Sequence, residues 1–203
     1  VENDEPILFE GAQGTFLDID HGTYPFVTTS NTVAGAACVG SGLGPTHISH
    51  VIGIVKAYLT RVGAGPFTTE LLGDEGERLR TLGAEFGVTT GRPRRCGWLD
   101  IPLLKRACML NSVTDICLTK LDILSHYDEI PLCVEYNDGK PVYEIMPGWK
   151  KDIQHCRTWD DLPENCHRYI ERIQTLSGVN IGLVGVGPKR SESIILSETF
   201  QLS

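Results

Sequence analysis

Three arginines within four positions form the part of this sequence that most clearly favours binding of a charged ligand. They lie in the segment Thr-Thr-Gly-Arg-Pro-Arg-Arg at 89–95. Guanidinium groups stay charged at any ordinary pH and pair with carboxylate or phosphate through parallel donors. Because neighbouring guanidinium groups repel one another, anions are expected to hold them, and the segment predicts a ligand loop. The alternative is a solvated basic loop whose surface salt bridges contribute little stability.

A second segment, Thr-Lys-Leu-Asp at 119–122, directly follows an apolar run that predicts a buried strand. An ionised Asp122 offers two acceptor oxygens that match the adjacent N1 and N2 donors of guanine, a pair that adenine lacks. The aliphatic stem of Lys120 can lie over the base. Since Lys and Asp are also ordinary turn residues at strand ends, a guanine site and a plain turn are both compatible with this pattern.

Two glycine-containing segments are candidates for phosphate binding. Gly-Val-Gly-Pro-Lys-Arg at 185–190 follows another apolar run and could bring the backbone close to a planar ligand or a phosphate. No helical pattern follows it, so it is not a phosphate-binding fingerprint. Gly-Asp-Glu-Gly at 73–76 lacks the trailing Lys-Ser/Thr of a phosphate loop, and it predicts a turn and a helix N-cap instead.

Metal and acid–base chemistry have weaker candidates. His155, Cys156, Cys166 and His167 could supply four ligands to zinc in a structural domain, but their spacing matches no common zinc pattern. The last two also lie on a predicted helix whose packing explains them. Three further histidines lack a paired nucleophile, which favours structural roles over acid–base catalysis. These are His21, His47 and His50.

Apolar runs that alternate with helical periodicity predict the elements that position these segments. The predicted strands are 51–62, 116–119, 131–136, 142–145, 181–184 and 193–196, and the predicted helices are 75–86, 100–111 and 164–177. Asn-Asp-Gly-Lys at 137–140 predicts a hairpin turn, and residues 6–45 predict loops. The pattern indicates an α/β fold in which helices flank a mostly parallel sheet with a small β-hairpin excursion. Ligand loops are expected at the carboxyl ends of the strands.

Composition narrows the class of protein. The 203 residues are 41% hydrophobic and 22% charged, which excludes disorder, collagen and coiled coil. A net charge of −8 argues against a basic body that coats nucleic acid, and no run of about 18 apolar residues predicts a membrane span. Seven cysteines without a Cys-x-x-Cys pair favour reduced thiols in a cytoplasmic protein.

With neither an internal repeat nor a linker, residues 1–203 are treated as one domain. The apolar run close to the start suggests a chain cut from something longer.

Several segments, taken in order, match one protein family across nearly the whole chain. They are Phe-Glu-Gly-Ala-Gln-Gly-Thr at 9–15, Asp-Ile-Asp-His-Gly-Thr-Tyr-Pro at 18–25, Gly-Ser-Gly-Leu-Gly-Pro at 40–45, Thr-Arg-Val-Gly-Ala-Gly-Pro at 60–66, residues 89–98, residues 118–122 and Met-Pro-Gly-Trp at 146–149. The chain resembles adenylosuccinate synthetase. The resemblance implies a cytoplasmic, homodimeric ligase of purine biosynthesis that uses Mg²⁺ and GTP to join IMP and L-aspartate.

The resemblance also implies ligand-binding roles, residue by residue. The residues implied for IMP are Gln13, Thr28, Val62 and Arg92. Those implied for aspartate are Val88, Thr89, Thr90, Gly91, Arg92, Pro93 and Arg94. Those implied for GTP are Arg94, Lys120, Leu121, Asp122, Gly185, Val186 and Gly187. Many relatives carry Ser where this chain has Gly185, so a side-chain hydrogen bond to the nucleotide is expected to be missing here or replaced by backbone.

The matched segments correspond to the carboxy-terminal portion of the family's single-domain fold, and the amino-terminal portion is absent. The resemblance places the general base Asp, the acid His, the phosphate loop and the Mg²⁺ ligands in that absent portion. No catalytic or metal-binding residue is therefore assigned in this chain, and the chain alone is expected to be inactive. The alternative is a noncatalytic guanine-nucleotide binding module.

Overall fold

The computed structural model describes residues 5–88 and 91–200, and its centre is a four-stranded sheet. The strands in chain order are β1 (Ile52–Lys56), β2 (Leu59–Arg61), β3 (Arg95–Gly97), β4 (Asp115–Thr119), β5 (Glu129–Asn137), β6 (Lys140–Pro147), β7 (Asn180–Gly185) and β8 (Ser193–Ile195). The central sheet has the order β1-β4-β7-β8, in which the first three strands are parallel and β8 is antiparallel to β7. The predicted mixed α/β fold with a mostly parallel sheet is confirmed.

The described residues form five α-helices. They are α1 (Ala36–Ser41), α2 (Gly73–Leu82), α3 (Ile101–Asn111), α4 (Leu121–Leu124) and α5 (Glu164–Ser177). The core between the layers contains Tyr58, Leu79, Ile116, Leu118, Leu121 and Tyr169, all fully buried. The parallel strands are in register at Lys56 with Thr119 and at Leu118 with Val184, so β1, β4 and β7 end side by side.

Helices α3 and α5 and the β5–β6 hairpin are confirmed where the sequence predicted them. The Asp100 carboxylate caps α3 by accepting a hydrogen bond from the backbone N–H of Leu103 at 3.0 Å. Helix α5 ends at Ser177, immediately before Gly178. The hairpin turns at residues 138–139, within the predicted Asn-Asp-Gly-Lys segment. Each of these elements carries its stop or start signal within its own few residues.

The predicted strand over 51–62 is instead two strands in different sheets. Strand β1 belongs to the central sheet, whereas β2 pairs with β3 in a separate antiparallel ribbon. Ala57 and Tyr58 link the two strands and are fully buried, and the Ala57 carbonyl accepts a hydrogen bond from the Tyr169 hydroxyl at 2.8 Å. A continuous apolar run has the same pattern whether one strand continues or two strands change partners, so periodicity could not separate these cases.

The predicted helix over 75–86 begins earlier and ends earlier, as α2. Residues 73–76, expected as a turn and N-cap, form its first turn. Gly76 is buried in the helix, and a Cβ there would lie 2.1 Å from the Leu71 carbonyl oxygen. Close packing therefore requires this glycine. Phe86, the last residue of the predicted helix, lies outside α2 and pairs with Pro93 in an antiparallel bridge.

Candidate functional site

The two segments predicted to recognise guanine lie next to each other at the carboxyl edge of the sheet. Lys120 follows β4 in a left-handed conformation with φ of 65° and leads directly into α4. Gly185 ends the neighbouring strand β7, and a Cβ placed on it would lie 3.4 Å from the Thr119 Cα. That distance is ordinary van der Waals contact, so space does not require glycine there. The serine that the family resemblance implies at this position would therefore fit without a clash.

Asp122 lies half-buried in the first turn of α4. Its Oδ2 accepts a hydrogen bond from Gln154 Nε2 at 3.4 Å. Burial raises the pKa of Asp122, and the hydrogen bond from Gln154 and the charge of Lys120 partly offset that rise. The Leu121 side chain is fully buried, so this residue anchors the turn in the core and presents only backbone to a ligand.

The glycine segment after β7 is fixed by Glu192. Val186 donates its backbone N–H to the Glu192 carbonyl at 2.8 Å, and Lys189 donates its backbone N–H to Glu192 Oε2 at 2.9 Å. A Cβ on Gly187 would lie 2.5 Å from that same Oε2, which leaves no room for a side chain unless Glu192 moves. The segment therefore offers a backbone surface beside Lys120.

Two of the three arginines in the predicted ligand loop are held by the protein's own carboxylates. Arg94 Nη1 donates to Glu85 Oε2 at 2.7 Å, and Arg95 Nε donates to Glu70 Oε1 at 2.7 Å. Arg95 also donates through Nη1 to the Gly65 carbonyl at 2.9 Å. The anions expected around these guanidinium groups are thus internal at Arg94 and Arg95. Because these carboxylates already balance the charges of Arg94 and Arg95, repulsion between the arginines does not by itself require a bound anionic ligand.

The loop that carries Arg92 rises from a hydrogen-bonded base. Arg94 donates its backbone N–H to the Glu85 carbonyl at 2.9 Å, and Gly87 donates its own to the Arg92 carbonyl at 2.8 Å. Gly91 adopts φ of 61°, and Val88 is 99% exposed at the tip. Pro93 is exposed beside the base. Arg92 is thus part of the base through its carbonyl, and it is exposed to solvent.

The predicted aspartate-binding set also includes two residues that lie outside the described residues. These are Thr89 and Thr90.

Sequence analysis missed Glu85, a buried carboxylate that accepts hydrogen bonds from three side chains at this site. Its side chain is 1% exposed and accepts hydrogen bonds from Lys56 Nζ at 2.8 and 2.9 Å and from the Tyr58 hydroxyl at 2.7 Å, besides the bond from Arg94. Burial alone would raise the pKa of Glu85, but the hydrogen bonds from Lys56, Tyr58 and Arg94 outweigh it and hold the pKa below its usual range. Glu85 is therefore ionised in the neutral range.

Two of the residues implied for IMP, Thr28 and Val62, lie on loops that Arg61 joins. Val62 follows β2 and is 61% exposed, and Thr28 donates its backbone N–H to the Leu17 carbonyl at 2.7 Å. Arg61 Nη2 donates to Thr23 Oγ1 at 2.9 Å, which links the turn after β2 to the loop containing Thr28. Gln13 is exposed on the preceding segment, where its φ is 60°.

Asp18 organises the loop on which Gln13 and Thr28 lie, and sequence analysis had not singled it out. Its carboxylate is fully buried, and Oδ1 accepts hydrogen bonds from the backbone N–H of Asp20 at 2.9 Å and of His21 at 3.0 Å. Oδ2 accepts hydrogen bonds from the backbone N–H of Thr32 at 2.5 Å and of Val33 at 3.2 Å. Burial alone would raise the pKa of Asp18, but these backbone donors hold it well below its ordinary value of 3.8.

We expect Asp18→Asn to loosen this loop, because the amide NH₂ would face backbone donors that need an acceptor. Loss of one such bond predicts roughly 10- to 100-fold faster hydrogen exchange for amides of residues 14–33. The carboxylate's stabilisation is present above the unfolded pKa, and it is lost as the pH falls through the depressed folded pKa. Asp20→Asn is the control, since Asp20 is exposed and accepts only from Asn31 among the described side chains. Equal exchange in both variants would contradict the role of Asp18.

The residues considered for zinc have other partners. Cys156 and Cys166 are buried, and the His167 ring stacks on Trp159 with 4.2 Å between ring centroids. His167 Nε2 also lies 2.8 Å from the Trp159 carbonyl oxygen. Within residues 5–88 and 91–200, no three His, Cys, Asp or Glu side chains gather where they could hold a metal ion. The zinc alternative gains no support, and the described residues offer no such cluster for Mg²⁺.

Two further features of the surface lie apart from the predicted site residues. A groove of about 350 Å³ lies along α2, lined by Asp74, Glu77, Arg78, Thr81 and Leu82. In the part of the chain that the structure describes, no helix has both the length and the apolar character needed to cross a membrane.

The fold defines a class, that of open α/β proteins in which ligands bind at the carboxyl edge of a parallel sheet. Comparison with known families is more specific, since the model of the adenylosuccinate synthetase family matches residues 1–194. The chain belongs to the adenylosuccinate synthetase family.

Individual relatives agree with this assignment. Adenylosuccinate synthetase from Acidothermus cellulolyticus is 53% identical over 97% of this chain and 50% of its own length. The enzyme of the same name from Moorella thermoacetica is 53% identical over 96% of this chain and 49% of its own length. The chain thus spans about half the length of the curated relatives it matches. These percentages give how much of each relative is matched and do not give which part, so the assignment of this chain to the carboxy-terminal portion stays a prediction.

Two solved structures are similar to the chain. A fully ligated adenylosuccinate synthetase from Plasmodium falciparum matches with a TM-score of 0.93 and 46% identity, covering 97% of this chain and 51% of that one. A cyanophage S-2L succinoaminodeoxyadenylate synthetase, bound to dGMP and dATP, matches with a TM-score of 0.60 at 18% identity over 92% of this chain and 45% of that one. The second likeness concerns the fold alone.

Proposed function

We propose that the full-length protein containing this chain joins IMP and L-aspartate into adenylosuccinate at the expense of GTP, a step of purine biosynthesis. The match to the fully ligated synthetase supports this, as does the identity of 53% to a curated relative of that name. The observation that carries the proposal is geometric. Lys120 Nζ donates to the Gly83 carbonyl at 3.0 Å, two residues before the carboxylate that binds Arg94. The turn after α2 thus joins the guanine segment to the arginine loop.

The guanine base is proposed to bind between two walls at the carboxyl edge of the sheet. The Asp122 carboxylate would accept from guanine N1 and N2, and Lys120 would cover one face of the base. The backbone of residues 185–187 would form the opposite wall. Gln154 Nε2 donates a long hydrogen bond of 3.4 Å to Asp122 Oδ2, and the guanine base would replace this donor.

Aspartate is proposed to bind against the arginine loop. Arg92 would pair with the carboxylates of aspartate and approach the purine, while Arg94 would lie between aspartate and GTP. The remainder of the loop over 88–94 would supply backbone donors and exclude water. Gln13, Thr28 and Val62, with Arg92, would hold IMP on the neighbouring loops.

The chemistry of the family explains why such a site is needed. The 6-oxygen of IMP is a poor leaving group, so GTP first transfers its γ-phosphoryl group to it. The α-amino group of aspartate then displaces phosphate at C6. Three charged reactants must be held together, and preorganised guanidinium and backbone donors stabilise the charge that develops. The general base, the acid and the Mg²⁺ site are proposed to lie outside this chain, so these residues bind and orient the reactants.

The proposal extends to the setting of the protein. All seven cysteines are free thiols and six are buried, which supports a cytoplasmic location. Strand β1 lies at an edge of the sheet, and Ile54 on it is 71% exposed, which supports a sheet that continues in the rest of the protein. We expect a homodimer, and we expect residues 1–203 alone to be inactive.

The test is an assay of the full-length protein with IMP, aspartate and GTP. Adenylosuccinate should form only when all three are present, and omission of any one should abolish it. Residues 1–203 assayed alone should give no product. Tight GTP binding by the full-length protein without product formation would contradict the proposal and favour the noncatalytic binding module.

A further inference from the structure

We infer that Glu85 is a positioning residue that fixes the Arg94 guanidinium at the sheet edge and so sets the affinity for aspartate. The inference rests on the proposed function, because that function places Arg94 beside aspartate and GTP. Glu85 is in none of the ligand-binding sets that the family resemblance implies. The observations that carry it are the burial of Glu85, the geometry of its partners and the way the loop base is fixed.

The carboxylate of Glu85 joins elements that are distant in sequence. Lys56 ends β1, Tyr58 lies in the link between two sheets, and Arg94 follows the loop. All three donate to the same two oxygens at 2.7 to 2.9 Å, and the Glu85 side chain is almost completely buried. Because its partners come from both sides of the loop base, the carboxylate determines where Arg94 lies relative to the sheet.

The backbone of Arg94 is fixed as firmly as its side chain. Its N–H donates to the Glu85 carbonyl at 2.9 Å, and its carbonyl accepts from Arg80 Nε at 2.8 Å. Arg94 is thus held at both backbone groups and at Nη1. Arg92 joins the same base through its carbonyl, which accepts the Gly87 N–H at 2.8 Å, and it is exposed. The Arg94 guanidinium is therefore preorganised at the base of the loop.

Charge makes Glu85 hard to replace. Lys56 and Arg94 both face it, and each side chain is 28% exposed. Without the carboxylate, two cations of limited solvent access would face each other, and Arg94 would turn away from Lys56. A merely structural loss would weaken all substrates alike, whereas a displaced Arg94 weakens aspartate and leaves IMP largely unaffected.

The test is Glu85→Gln in the full-length protein, with steady-state kinetics for each substrate. We expect the KM for aspartate to rise about tenfold while the KM for IMP changes less than about twofold. Tyr58→Phe is the second variant, because it removes one donor to Glu85 and keeps both ion pairs and the buried ring. It should raise the KM for aspartate about threefold with little change in Tm.

The matched control is Glu144→Gln, which removes another arginine-bound carboxylate far from the site. Glu144 accepts from Arg172 Nε at 3.0 Å and from Nη2 at 2.7 Å, between the hairpin and α5. It should leave the KM for aspartate unchanged. Equal changes in the KM for aspartate and IMP, or no change with Tyr58→Phe and Glu85→Gln, would overturn the inference.

Arg92→Ala, measured in parallel, separates this inference from the proposed function. If the unchanged full-length protein forms no adenylosuccinate, the proposed function fails, and if Arg92→Ala leaves the aspartate kinetics unchanged, the binding role of the loop fails. If Arg92→Ala weakens aspartate use but the Glu85 and Tyr58 variants do not, only the role of Glu85 fails.

Discussion

Replacing Arg92 with alanine in the full-length protein is expected to lower kcat/KM for aspartate by roughly 30- to 1,000-fold, or about 2 to 4 kcal/mol of transition-state stabilisation. The physical reason is the loss of a charge-assisted contact with the two carboxylates of aspartate. The Arg92 carbonyl accepts the Gly87 N–H at 2.8 Å, and alanine keeps this backbone bond while it removes the guanidinium group.

Arg106→Ala is the control for this variant, because Arg106 is an exposed arginine on α3 away from the loop. It should leave kcat/KM for aspartate within about twofold of the unchanged protein. Unchanged aspartate kinetics in Arg92→Ala would reject the binding role of the loop.

The second large effect is expected at Asp122. Asp122→Asn should reduce the preference for GTP over ITP by about 10- to 100-fold, because an amide cannot accept from both guanine donors and ITP lacks the 2-amino group. The carboxylate lies in the first turn of α4, beside the ends of β4 and β7. The substitution therefore tests recognition of the guanine edge at this part of the proposed pocket.

Competition between GTP and ITP in the full-length protein measures this preference. Asp128→Asn is the control, since Asp128 is exposed and pairs with Lys150 outside the pocket. A preference for GTP that survives Asp122→Asn would count against base recognition by this residue.

The elements that could be predicted from sequence are those whose signals are local. Asp100 at the start of α3, Gly178 after α5 and the turn between β5 and β6 each lie within a few residues of the element they determine. Helix α1 was missed because its Ala-Ala-Cys-Val-Gly-Ser sequence lies within a glycine-rich stretch and has only six residues. The division of 51–62 into two strands was missed because strand partners are set by distant parts of the chain.

The candidate site divides in the same way. Positions 120–122 and 185–187 could be predicted to meet, because parallel strands end at a shared edge. The internal partners of the arginines could not be predicted, since Glu85 and Glu70 lie 9 and 25 residues from Arg94 and Arg95. Nothing in the neighbourhood of Glu85 in the sequence indicates that its carboxylate is buried. Asp18 was likewise hidden, because its donors at Thr32 and Val33 belong to a distant part of the loop.

The most direct measurement is a crystal structure of the full-length protein with IMP, a GTP analogue and an unreactive aspartate analogue bound together. The account predicts the Arg92 guanidinium within hydrogen-bonding distance of the analogue's carboxylates, with the Asp122 carboxylate on N1 and N2 of the guanine. An arginine loop that extends into solvent away from the bound amino acid, or a guanine base bound elsewhere on the sheet, would contradict it.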